Sequence, residues 1–149
     1  MSAERIVLCM RWGALYPPGY VNVLYSAVKR HLKLPFRFVC LANDSDGLSS
    51  GIETFPIPDL GFSDCHWSSG AWPKLSVFLP DLYGLKGRAL FIDLDSVILG
   101  SLEPFFELPG EFIAIGGGPN WRRGSDNPEP ELASGVFAFE LGTQPQVVE

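Results

Sequence analysis

The sequence is poor in the residues from which zinc and redox centres are built. It has 2 histidines and 3 cysteines in 149 residues. No CxxC or HxxxH spacing occurs, so no zinc-type ligand set is offered. Cys9, Cys40 and Cys65 are odd in number, and Cys9 and Cys40 lie inside apolar runs. Buried free thiols in a reducing compartment are expected rather than disulfides. Cys65 and His66 are adjacent and read as structural, because neighbours in a strand or turn seldom face one site. Positive charge is also scarce: 11 Lys and Arg against 17 Asp and Glu leave a net charge of −6. That balance speaks against a nucleic-acid partner, which selects a basic face. No apolar run reaches the length of a membrane span, and the first residues enter a strand pattern instead of a signal peptide. The expectation is a cytoplasmic protein with no transmembrane segment.

What is present argues for a globular chain: 46% hydrophobic and 13% aromatic residues. No repeat or linker divides it, and its length suits one domain over 1–149. Ile6, Val7, Leu8 and Cys9 mark a buried strand at 5–10. After Pro17-Pro18-Gly19, Val21, Leu24, Tyr25, Val28 and Leu32 form one helical stripe. Lys29, Arg30, His31 and Lys33 suit its C-terminal dipole, and Pro35 stops it. A second strand at 36–42 completes a βαβ unit and ends in the turn Asn43-Asp44-Ser45-Asp46-Gly47. Residues 52–57 read as a short strand that Pro56 and Pro58 push to a sheet edge. Residues 59–70 read as a long loop whose His66 and Trp67 could cover a site. Pro73 opens a helical segment that Pro80 breaks. Lys74 then sits in its first turn, where a cation gains nothing from the dipole; a phosphate neighbour or an ordinary surface role would each explain it. Further strands are expected at 112–115 and 134–141, with a glycine run after the first. Residues 120–131 form a polar loop carrying Trp121, Arg122 and Arg123.

The chain is organised around residues 88–100. Ala89, Leu90, Phe91 and Ile92 read as a strand buried on both faces, and it delivers Asp93 and Asp95 at its carboxyl end. Two carboxylates there are costly unless a cation or a hydrogen-bond donor meets them. Ligands of open α/β sheets bind at that end. Three readings follow. The acids hold Mg²⁺ or Mn²⁺, which in turn holds a diphosphate; a hard ion that keeps waters and substrate phosphates needs few protein carboxylates. Alternatively Asp93 is the nucleophile and Asp95 the acid/base of a haloacid-dehalogenase-like phosphatase. Or the pair only caps a strand. Context favours the metal: a nucleophile motif that begins its fold would not follow a βαβ unit, and no lysine occurs after Lys86.

These residues resemble the N-terminal, nucleotide-sugar-binding portion of GT-A-type glycosyltransferases, closest to the bacterial glycosyltransferase-like and glycogenin-like families. The matching pieces are Tyr20-Val21-Asn22, residues 38–44, Trp72-Pro73-Lys74-Leu75, residues 90–100 with the sequel Ser101-Leu102-Glu103-Pro104-Phe105-Phe106, and Ser134-Gly135-Val136. The resemblance implies a Rossmann-like α/β fold, a mostly parallel sheet flanked by helices. It implies transfer of a sugar from a nucleotide-diphosphate donor, a UDP-sugar foremost, to a glycan or small-molecule acceptor. Asp93 and Asp95 would correspond to the metal pair, with Asp95 the direct ligand. Lys74 would approach the donor, Asn43 and Asp44 would read base and ribose, and Met10, Arg11 and Trp12 would border the same pocket. Ser134 and Gly135 match the last strand, where Ala133 replaces the family's usual Asn.

The family's third metal ligand, a C-terminal His, has no counterpart in these residues. Thr143 and Gln146 form a capping-box pattern, yet three residues follow Gln146. The expectation is a chain without its acceptor-side portion. A non-catalytic binding module that pairs with itself, as a homo-oligomer, is the remaining alternative.

Overall fold

A computed structural model describes residues 4–68, 70–117 and 132–148. Strands β1 (Arg5–Arg11), β2 (Arg37–Ala42), β3 (Glu53–Phe55), β4 (Arg88–Ile92), β5 (Phe112–Gly116) and β6 (Leu132–Glu140) form one sheet. Their order is β3-β2-β1-β4-β6-β5. β1 pairs in parallel with β2 and β4, and β2 with β3, whereas β6 runs antiparallel to both β4 and β5. The sheet is therefore mostly parallel, as expected, with β6 alone reversed. β3 lies at one edge, in keeping with its flanking prolines.

Alternation along the strands builds two apolar layers. Val7, Cys9, Phe38, Cys40, Leu90 and Ile92 face helix α1 (Pro18–His31). Ile6, Leu8, Met10, Val39, Leu41, Ala89 and Phe91 face the other way, onto Val77, Phe78, Leu82 and Leu85. The α1 stripe is buried at Val21, Leu24 and Val28, and its last turn carries Lys29, Arg30 and His31. β4 is buried along its whole length. A phenylalanine stack of Phe91, Phe137, Phe78 and Phe139 ties it to β6.

Three local expectations change. The segment at Pro73 is a 3-10 helix, Trp72–Phe78, not an α-helix. Its Leu79 already has an extended backbone before Pro80, a position where proline disfavours the helical region. Residues 59–70 contain a short helix, α2 (Asp64–Ser68). The capping box does not form: the Thr143 hydroxyl donates to the Glu140 carbonyl at 2.8 Å, and a single 3-10 turn, Pro145–Val147, follows. The loop carrying Trp121, Arg122 and Arg123 lies outside the described residues.

Arg88 opens β4 and is buried. Its guanidinium donates to the carbonyls of Phe105, Leu108 and Gly110 and to Glu140 Oε1, at 2.8–3.1 Å. One cation thus fixes helix α3 (Pro104–Glu107), the turn before β5 and the end of β6. Arg88→Met keeps the apolar stem and leaves these acceptors without their donor. The expected loss is about 3 kcal/mol, read as a lower urea midpoint with unchanged slope.

Candidate functional site

The carboxyl ends of β1 and β4 open into a cleft of about 470 Å³. Its floor comes from β4. The chain leaves the strand at Asp93, whose backbone N–H donates to the Gly135 carbonyl of β6 at 2.8 Å. The Asp93 carboxylate meets the Lys74 ammonium at 2.6 Å. Lys74 also donates to the Ser134 carbonyl at 3.3 Å and stands over the Phe91 ring, 5.4 Å from its centroid. The lysine in the first turn of its helix therefore belongs to the acid at the end of β4. Burial nevertheless holds Asp93 above the ordinary carboxylate range; Lys74 opposes the shift and neighbouring Asp95 adds to it.

Asp95 is exposed at the cleft mouth, and its Oδ2 accepts a hydrogen bond from the Tyr16 hydroxyl at 3.2 Å. Desolvation first, then the Asp95 carboxylate, raises the tyrosine's own titration. The opposite wall is aromatic and apolar. Trp12 leaves β1, and its indole N–H donates to the Trp67 carbonyl of α2 at 3.1 Å. Trp67, Ser68, Gly70 and Ala71 complete that wall.

Met10, Trp12, Lys74, Asp93 and Asp95 line this one cleft. Arg11, Asn43 and Asp44 do not. Arg11 points to the β2 side and pairs with Asp44 at 2.6 Å, and Asn43 is exposed in the adjoining turn. Ser134 and Gly135 back the ion pair from β6. A β-carbon on Gly135 would stand 3.4 Å from Asp93 Oδ2, in ordinary van der Waals contact with the pair. Tyr16 and Ala71 were not singled out in the sequence. Tyr16 lies in a loop with no periodicity, and nothing local ties it to a carboxylate 79 positions away.

Among the described residues no three His, Cys, Asp or Glu side chains converge on a metal position. The donor set is two carboxylates, oxygen only, one of them already held by an ammonium. That set is incomplete alone but fits a hard divalent ion whose other ligands are water and phosphate.

The fold is shared with glycosyltransferases of known structure. The chain superposes on the galactosyltransferase LgtC, solved with donor and acceptor sugar analogues, with a TM-score of 0.59 and 15% identity over 96% of this chain. It is also similar to the glycosyltransferase GlyE of Streptococcus pneumoniae TIGR4 (TM-score 0.59, 15% identity, 97% of this chain) and to the bifunctional glycosyltransferase WbbM (0.57, 14%, 94%). The chain spans 60%, 36% and 32% of LgtC, GlyE and WbbM, respectively. No protein-family model and no curated protein matches the sequence.

The electrostatics can be checked directly. In ¹³C-detected titrations the Asp93 carboxyl is expected to titrate above the usual aspartate range. Lys74→Met should push it higher still, because the removed ammonium is the group that holds it down. An unmoved Asp93 would show that the pair does not persist in solution.

Proposed function

We propose that residues 1–149 act as one nucleotide-sugar-binding domain of a glycosyltransferase. In this reading Asp93 and Asp95 hold Mn²⁺ or Mg²⁺ against the diphosphate of the donor, a UDP-sugar foremost. The sugar is passed to a glycan or small-molecule acceptor. The observation that carries the reading is the charge balance of the cleft. Among the described residues its charged lining is one ammonium, Lys74, against two carboxylates, Asp93 and Asp95. A bare diphosphate would meet net negative charge, whereas a cation–diphosphate complex would meet its complement. The fold shared with LgtC, GlyE and WbbM supports the same class of protein. The phosphatase alternative has no comparable support.

Asp95, at the cleft mouth, is the direct ligand in this scheme, and Tyr16 orients it. Asp93 is fixed deeper in the cleft by Lys74, and Ser134 and Gly135 keep that pair in position. Met10 and Trp12 offer an apolar and aromatic wall for the base. Arg11, with Asn43 and Asp44, borders that wall and would contact the nucleoside from the turn after β2. When bound, the divalent ion neutralises charge on the departing diphosphate. The chain's own contribution is to hold donor and cation at the end of a rigid strand. No helix among the described residues is long and apolar enough to cross a membrane.

Titration calorimetry with UDP and GDP, with and without Mn²⁺, tests this reading. Mn²⁺-dependent binding of one nucleotide is expected, and Asp95→Ala should weaken it at least about tenfold, the loss of one charge-assisted contact. Binding that ignores both Mn²⁺ and Asp95 would refute it. The pH dependence has a definite sign. A metal-binding carboxylate must be ionised, and Asp93 is raised. Metal-dependent binding should therefore fall on acidification at a higher pH than an ordinary aspartate would impose, and Lys74→Met should move that fall higher again.

A further inference from the structure

Among the described residues the four most exposed large apolar side chains are Leu99, Val97, Leu15 and Val23, at 88%, 81%, 77% and 68%. Two hydrogen bonds bring them to one side of the molecule. The Tyr16 hydroxyl donates to Asp95 at 3.2 Å, just before α1 begins. The Leu102 N–H donates to the His31 carbonyl at 2.9 Å, where α1 ends. Residues 95–102 therefore run along the helix from its start to its last turn. Ile98 turns inward onto the layer that holds Val21, Leu24 and Val28, while Val97 and Leu99 on either side of it face water.

The flank of α1 beside that segment is marked by Tyr20, which meets Tyr16 edge-on at 5.1 Å. Tyr20, Val23 and Arg30 fall at i, i+3 and i+10, so they share this flank. The charge of the helix is as uneven as its apolar surface. α1 has no acidic residue and ends on Lys29, Arg30 and His31, with Lys33 two residues on, in a chain of net charge −6. Two acids border the strip: Asp95 at one end and, at the other, Glu103, which accepts from the Lys33 N–H and the Ser101 hydroxyl. The helix dipole accounts for cations at that end. It does not account for bare aliphatic side chains beside them.

These side chains protrude singly and do not line a groove. A protein partner would have to offer a fitted pocket to each, because interface cores are packed as closely as interiors. A fluid hydrocarbon layer needs no such fit, and anionic headgroups complement the cations at the end of the strip. We infer that the Tyr20–Val23–Arg30 flank of α1, with Val97 and Leu99, is a peripheral docking surface for an anionic lipid bilayer. Leu15 also lines the cleft, so docking on this side brings the cleft mouth to the headgroup layer. The inference stands on the surface alone and does not depend on the nucleotide-sugar reading.

Flotation of the chain with phosphatidylcholine vesicles, with and without phosphatidylglycerol, tests it. Binding is expected to the anionic vesicles and should weaken as salt is raised. Val23→Ser with Leu99→Ser should lower the vesicle partition coefficient at least roughly tenfold, the loss of two inserted aliphatic side chains. Arg30→Glu with Lys33→Glu should remove most of the preference for anionic lipid. All four positions are exposed, and circular-dichroism melts matching wild type show that both variants are folded. No flotation with either lipid, equal flotation with both, or equal flotation of wild type and the Val23/Leu99 variant overturns the inference. So does a dimer in sedimentation velocity that the same two substitutions dissolve while vesicles capture nothing, which would give the face to a second copy of the chain.

Discussion

An aspartate at the end of a fully buried strand has to be met by a cation, and the 2.6 Å contact between Lys74 and Asp93 satisfies that demand. Much of the site follows from it. The lysine comes from the first turn of the 3-10 helix Trp72–Phe78, so that helix must begin at the strand end. Its apolar residues Val77 and Phe78 then cover the sheet face opposite α1. The same ammonium reaches the Ser134 carbonyl, and Asp93 N–H reaches the Gly135 carbonyl, which fixes where β6 passes β4. Three elements distant in sequence are registered at one point, and that point is the floor of the cleft.

The pair is also internally opposed. Burial raises Asp93 while Lys74 lowers it, so the carboxylate is kept ionisable by a partner rather than by water. An acid fixed in this way is preorganised and costs little to orient when a ligand arrives. Asp95, one residue beyond the buried Leu94, has the contrasting environment of an exposed carboxylate with one phenolic donor. The turn closed by the Ser96 N–H donating to the Asp93 carbonyl at 3.1 Å thus separates two acids of one motif into an ion-paired and an exposed member.

How much of this could be read from residues alone depended on whether the physics was local. The α1 stripe and the apolar runs of β1, β2 and β4 are patterns of period and length, and each became the element expected. Lys74 stood out because a cation in a first turn has no local reason to be there, and its reason proved to be Asp93. Non-local features were invisible. Nothing in residues 134–141 says that β6 runs antiparallel between β4 and β5, since direction is set by the connection and not by composition. Tyr16 belongs to an aperiodic loop and finds Asp95 only through the fold. The capping box at Thr143 failed for a related reason: its hydroxyl found the Glu140 carbonyl first, a local competitor that the motif does not encode.

A shared fold at about 15% identity with LgtC and GlyE indicates what that fold requires. Alternating apolar strands and one shielded sheet face per layer can be met by many sequences. Under the proposed nucleotide-sugar reading, these requirements would leave open which sugar a donor carries and what receives it. In that reading those choices would fall to segments that the sheet does not constrain: residues 12–16, which bring Trp12 and Tyr16 to the cleft, and residues 62–68, which bring Trp67 to it. Specificity in this chain should therefore be sought in the two loops that meet through the Trp12–Trp67 hydrogen bond, and not in the strands that support them.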